Sequence, residues 1–147
     1  MAGKRTVAAV VTRRFAASAD RVFAAWLDPA AAMRWFGPGQ GEVVRAEFDA
    51  QVGGRFSIVQ RRNGADIDHT GVYLEIAAPR RLVFTWGIAP ESGEGSRVAI
   101  DITPDGYGCV LTLRHELDPE WEDFLDRTRD AWAKMLDAMG EVVGSSV

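Results

Sequence analysis

Asp118 to Gly140 reads DPEWEDFLDRTRDAWAKMLDAMG. Asp118 is a good N-cap, Pro119 suits the first helical position, and Glu120 and Glu122 put negative charge at the positive end of the helix dipole. Trp121, Phe124, Leu125, Thr128, Trp132, Met135, Leu136 and Met139 then recur at i, i+3, i+4 and i+7, one apolar stripe on a helix. Gly140 sits where a helix commonly ends. Pro119 to Met139 predicts a rod of roughly 30 Å, long enough to cross a small sheet.

Upstream of this segment the pattern has period two. Leu111, Leu113 and His115 alternate with Val110, Thr112 and Arg114, and Asp105-Gly106 marks the preceding turn. Val98, Ile100 and Ile102 alternate in the same way, as do Leu82, Phe84 and Trp86, and Val72, Leu74 and Ile76. A loop separates the middle two runs at Ala89 to Gly95, and Ala78-Pro79 breaks the chain before Leu82. Arg55 to Gln60 and Glu42 to Phe48 read as strands, joined across Gly53-Gly54. Asn63-Gly64 is a hairpin signal inside a loop expected to exceed two residues.

The front of the chain reads as a strand over Thr6 to Phe15, followed by two short helices. Ser18 caps the first, which carries Val22, Phe23, Trp26 and Leu27 at helical spacing. Asp28-Pro29 starts the second, which stops near Trp35-Phe36 because Gly37-Pro38-Gly39 cannot continue it. The order is strand, two short helices, about six strands, long helix. Strands linked by turns pair antiparallel. Their apolar faces and the helix's stripe are buried most cheaply by laying the helix on the sheet.

The 147 residues suffice for one domain, expected over 1–147 with a core at about 6–140. Hydrophobic residues at 47% and charged residues at 26% are ordinary for a globular chain. With a net charge of -4 and no Lys/Arg cluster beyond short pairs such as Arg13-Arg14, Arg61-Arg62 and Arg80-Arg81, no nucleic-acid partner is expected. Those pairs read as solvated strand ends. One cysteine, Cys109, permits no internal disulfide. No signal peptide and no membrane-length apolar run are seen, so a cytoplasmic location is expected.

Four motifs in order, FAASADRVFAAWLDPAAAMRWFGP (Phe15 to Pro38), GGRF (Gly53 to Phe56), GVYLEIAAPRRLVFTW (Gly71 to Trp86) and LTLRHE (Leu111 to Glu116), resemble one branch of the START-like superfamily. That branch is named for the activator of the ninety-kilodalton heat-shock-protein ATPase. The resemblance runs from Thr6 to about Met139. It implies an α+β helix-grip fold: a curved antiparallel sheet of about six to seven strands wrapped on a long C-terminal helix, enclosing an apolar cavity. Ala131-Trp132 stands where members often have Gly-Trp. The branch holds many uncharacterised bacterial proteins and has no common set of catalytic residues. In the eukaryotic activator this domain works with a separate N-terminal domain, for which this chain has no room.

Cavity-lining candidates are Trp35, Phe36, Phe56, Phe84, Trp86, His115, Trp132 and Met135. Strand parity points His115 inward with Leu111 and Leu113, as a polar anchor, a general base or a satisfied core histidine. It places His69 with Gly71 and Tyr73, on the face away from Val72, Leu74 and Ile76. Ser57 and Thr70 are further polar candidates, Ser57 the weaker because its parity opposes Phe56 and Ile58. No metal motif, P-loop or nucleophile motif occurs, so neither a metal nor a cofactor is expected. Cys109 reads as a structural thiol. Three functions fit: binding of a small hydrophobic or amphipathic molecule; enzymatic action on an aromatic or polyketide-like compound, which the resemblance to the wider superfamily implies; or a co-chaperone-like or regulatory interaction with a protein partner. An exposed sheet edge would admit a homodimer.

Overall fold

The computed structural model describes residues 6–88 and 96–144. The loop expected at Ala89 to Gly95 lies outside the described residues. The chain runs β1 (Val7–Phe15), α1 (Ala19–Leu27), α2 (Pro29–Trp35), β2 (Glu42–Phe48), β3 (Arg55–Arg62), β4 (Ala65–Ala77), β5 (Arg81–Ile88), β6 (Ser96–Asp105), β7 (Gly108–Leu117), a 3-10 helix (Pro119–Phe124) and α3 (Leu125–Gly144).

Local chemistry sets the helix starts. The Ser18 hydroxyl accepts the Arg21 N–H at 3.2 Å, Asp28 accepts the Ala30 N–H at 3.0 Å, and Asp118 accepts the Glu120 N–H at 3.0 Å. All seven strands join one antiparallel sheet in the order β1-β7-β6-β5-β4-β3-β2. The link from β1 to β2 therefore spans the sheet from edge to edge, and α1 and α2 make that crossing. α3 packs beside β1 and against both shorter helices. Val22, Phe23 and Trp26 from α1, Trp132, Leu136 and Met139 from α3, and Val98, Ile100, Leu111 and Leu113 from the sheet form one core. At about 25 cal/mol per Å2 of apolar surface, burial of this kind is the main stabilising term. The outer face carries exposed ion pairs, such as Arg81 with Asp101 at 2.8 Å, which contribute little.

Three sequence expectations are corrected. The hairpin after β3 is a two-residue loop: Arg62 pairs with Ala65, and Asn63 and Gly64 both have positive φ, 52° and 81°. That is the primed turn whose twist matches the strands it joins. Strand β4 is correspondingly long, 13 residues. Its buried face is His69, Gly71 and Tyr73, while Leu74 is exposed. A register shift between Tyr73 and Glu75 then turns Ile76 back toward the core.

The third correction concerns the helical rod. Pro119 to Phe124 forms a 3-10 helix whose Trp121 and Phe124 are exposed and pack on each other, ring centres 5.4 Å apart. The long helix begins only at Leu125 and continues through Gly140 to Gly144. Gly140 does not terminate it, because Val143 beyond it is still apolar and buried.

Candidate functional site

The inward face of the sheet and the helices do not fill the space between them evenly. Toward one end the packing is close. Trp26, Trp35, Phe56, Phe84 and Trp132 pack there around a void of only about 20 Å3. Toward the other end a cavity of about 360 Å3 stays open. Phe36 and the 37–40 loop, Arg62 of β3, His69 of β4, Trp86 and Ile88 of β5, His115 of β7, and one side of α3 from Arg127 to Met135 line it. Of the eight residues expected in the cavity, Phe36, Trp86, His115, Trp132 and Met135 stand on its wall. Trp35, Phe56 and Phe84 stand behind it in the packed layer. Trp86 and Trp132, ring centres 5.3 Å apart, separate the two regions and touch both.

His115 is held by a directional chain. The Trp132 indole can only donate, so its Nε1–H, 2.9 Å from His115 Nδ1, fixes that nitrogen as the acceptor. The proton then sits on Nε2, which donates to Ser96 Oγ at 2.9 Å, and Ser96 donates on to the Trp86 carbonyl at 2.8 Å. Burial lowers the His115 pKa to about 4. With its lone pair bonded to an indole and its pKa this low, His115 is a satisfied core histidine and is badly placed to serve as a general base. Its partners are an indole and a hydroxyl.

His69 is the reverse case. Its Nδ1 lies 3.2 Å from the Ile58 carbonyl, which can only accept, so Nδ1 carries the proton. The other ring nitrogen, Nε2, keeps a lone pair, and no protein group among the described residues bonds to it. Phe36 and Trp86 flank the ring at 4.8 and 5.7 Å. Burial lowers its pKa as well, offset in part by the Ile58 bond. Sequence parity had turned His69 outward, because Val72, Leu74 and Ile76 look like the more apolar face. Ser57 and Thr70, the other polar candidates, do not reach the cavity, and Ser57 bonds Asp68 at 2.5 Å.

The rim is built from β3 and the glycine-rich loop. Gln60, fully buried, donates through Nε2 to the Gly37 and Gly41 carbonyls at 3.0 and 3.3 Å. Gly37 is required there: φ is 52°, and a Cβ would lie 2.6 Å from the Gln60 amide nitrogen. The same amide's Oε1 accepts from Arg62 Nε at 2.7 Å. Sequence reading missed Gln60 and Arg62, since an amide in a strand and a basic pair at its end carry no local signal of a shared rim. Among the described residues no His, Cys, Asp and Glu cluster could hold a metal.

A seven-stranded antiparallel sheet gripping one long C-terminal helix, with a cavity between them, defines a START-like helix-grip protein. Within that class, the sequence profile of the family described as Activator of Hsp90 ATPase homolog 1-like protein matches residues 16–144, and the chain belongs to that family. Solved structures agree on the fold. A protein from Rhodobacter sphaeroides superposes with a TM-score of 0.84 at 18% identity, covering 97% of this chain and 99% of the other. An AHSA1-like protein from Aeromonas hydrophila gives 0.81 at 20% identity over 95% and 94%. CalU16 from Micromonospora echinospora gives 0.71 at 26% identity over 96% and 82%. No curated protein sequence matches the chain.

Proposed function

We propose that this protein binds one small hydrophobic or amphipathic molecule in the cavity between α3 and the sheet. The observation that carries this reading is the contrast within one interior. The packed layer leaves about 20 Å3, while the adjoining space, walled by Phe36, Trp86, Trp132 and Met135, leaves about 360 Å3. Protein interiors close-pack by default, and ligand sites begin at roughly 300 Å3 with apolar walls and a few placed polar groups. His69 Nε2 is such a group, an acceptor ready for a hydroxyl or N–H on the bound molecule. A cytoplasmic location goes with this reading, since Cys109 is a buried free thiol. Among the described residues no helix is long and apolar enough to cross a membrane.

The test is a fluorescence titration with the neutral dye N-phenyl-1-naphthylamine. Saturable one-to-one binding is expected in the native protein. Ala131 faces the cavity from α3, so Ala131→Trp fills the space and should abolish binding without touching the packed layer. Absence of saturable binding, or binding unchanged by the plug, would overturn the reading.

The enzymatic alternative now runs through His69, whose Nε2, unbonded among the described residues, and lowered pKa keep it an available base at neutral pH. On any substrate found, His69→Phe should abolish turnover and His115→Gln should not. The opposite result would remove His69 from that role.

A further inference from the structure

The charges around the cavity are one-sided. Arg62, Arg127 and Lys134 line it, and among the described residues no Asp or Glu does, in a chain whose net charge is -4. Among the described residues, other basic side chains pair with carboxylates, although Arg34, Arg55, Arg80 and Arg97 do not. Arg13 pairs with Asp137 at 3.1 Å, Arg14 with Asp105 at 3.0 Å, Arg61 with Asp66 at 2.9 Å, and Arg81 with Asp101 at 2.8 Å. Among the described residues Arg62, Arg127 and Lys134 form no ion pair.

Arg62 is also held in place for a partner. Gln60 takes its Nε–H, and Gln60 is itself fixed by two loop carbonyls. The two terminal amino groups of the guanidinium, the fork that matches a carboxylate or other oxyanion, bond nothing among the described residues. Burial already lowers the Arg62 pKa, so an unneutralised guanidinium here is costly. A buried amide that orients one cation on β3, with two more cations on α3 lining the same cavity and no acid there among the described residues, is an arrangement an anion would complete.

Resting on the cavity-binding reading, we infer that the ligand is an amphipathic anion: an apolar, ring-sized body against Trp86, Trp132 and Phe36, with an acidic head group taken by Arg62 and the cations of α3. The matched probes are 1-anilinonaphthalene-8-sulfonate and N-phenyl-1-naphthylamine, which share one ring system and differ by the sulfonate. The sulfonate should bind roughly tenfold more tightly at low salt. The advantage should shrink with added salt and fall to within about twofold in Arg62→Met/Lys134→Met. The neutral dye's Kd should be unchanged in that variant, which also shows that the cavity is intact.

Equal affinity for the two dyes would overturn the anion inference and leave the cavity reading standing. A sulfonate preference that survives the double substitution would overturn the assignment to these cations. Loss of both dyes' binding in the native protein, or indifference of both to Ala131→Trp, would overturn the cavity reading and this inference together.

Discussion

Two tryptophans on neighbouring helices differ by a single hydrogen bond. Trp35 Nε1 donates to the Ala25 carbonyl at 3.0 Å. That carbonyl lies in the last turn of α1, and the residue four positions on is Pro29, which has no N–H to offer. The indole of α2 thus completes the end of α1. Trp26 Nε1, equally buried, has no partner among the described residues. The same truncation should therefore cost different amounts. Trp35→Phe leaves a buried carbonyl unpaired, about 1–3 kcal/mol beyond the packing loss, whereas Trp26→Phe removes an orphan donor and loses packing alone. Urea unfolding of the two variants checks this. Equal destabilisation would show that the bond to Ala25 contributes nothing. Neither role was legible in the sequence, where both residues are simply apolar positions at helical spacing.

At the scale of elements, legibility followed the range of the interaction. Caps are settled within three residues, so Ser18, Asp28 and Asp118 could be read directly, as could the inward parity of Leu111, Leu113 and His115. Strand β4 could not, because its face depends on a bulge and on what lies across it. Val72, Leu74 and Ile76 form the more apolar set, yet Gly71 faces inward because nothing larger fits. A Cβ there would sit 1.9 Å from the Thr85 carbonyl oxygen and 2.4 Å from the Phe56 ring. Gly140 is the opposite case, mid-helix with Phe15 at an ordinary 3.7 Å. Gly71→Ala should destabilise by about 3 kcal/mol, since a backbone oxygen must move. Gly140→Ala should stabilise by about 0.5–1 kcal/mol through helix propensity. Denaturant midpoints of the two variants should move in opposite directions, and a shift of the same sign in both would contradict this account of the two sites.

For the whole molecule, the two buried histidines couple folding to pH. Both lie in the one interior, His115 bonded to Trp132 and Ser96, His69 between Phe36 and Trp86, and burial lowers the pKa of each. Above about pH 6.5 both are neutral in folded and unfolded chains alike, and the full stability is present. Below that pH the unfolded chain takes up protons that the folded chain refuses, until the folded pKa of His115 at about 4 is reached. Stability should thus fall as pH drops from about 6.5 to about 4, by roughly 3 kcal/mol from His115 and further from His69 in the same direction. Carboxylates titrate in the lower part of this window, so the comparison must be between variants. His115→Gln loses the indole bond and should be the less stable protein at pH 7, but it also loses the proton-linked penalty. The gap between the two proteins should close as pH falls toward 4, read from urea midpoints at each pH. A gap that stays constant across the window would mean that His115 takes its proton in the folded chain as readily as in the unfolded one, and that burial does not lower its pKa.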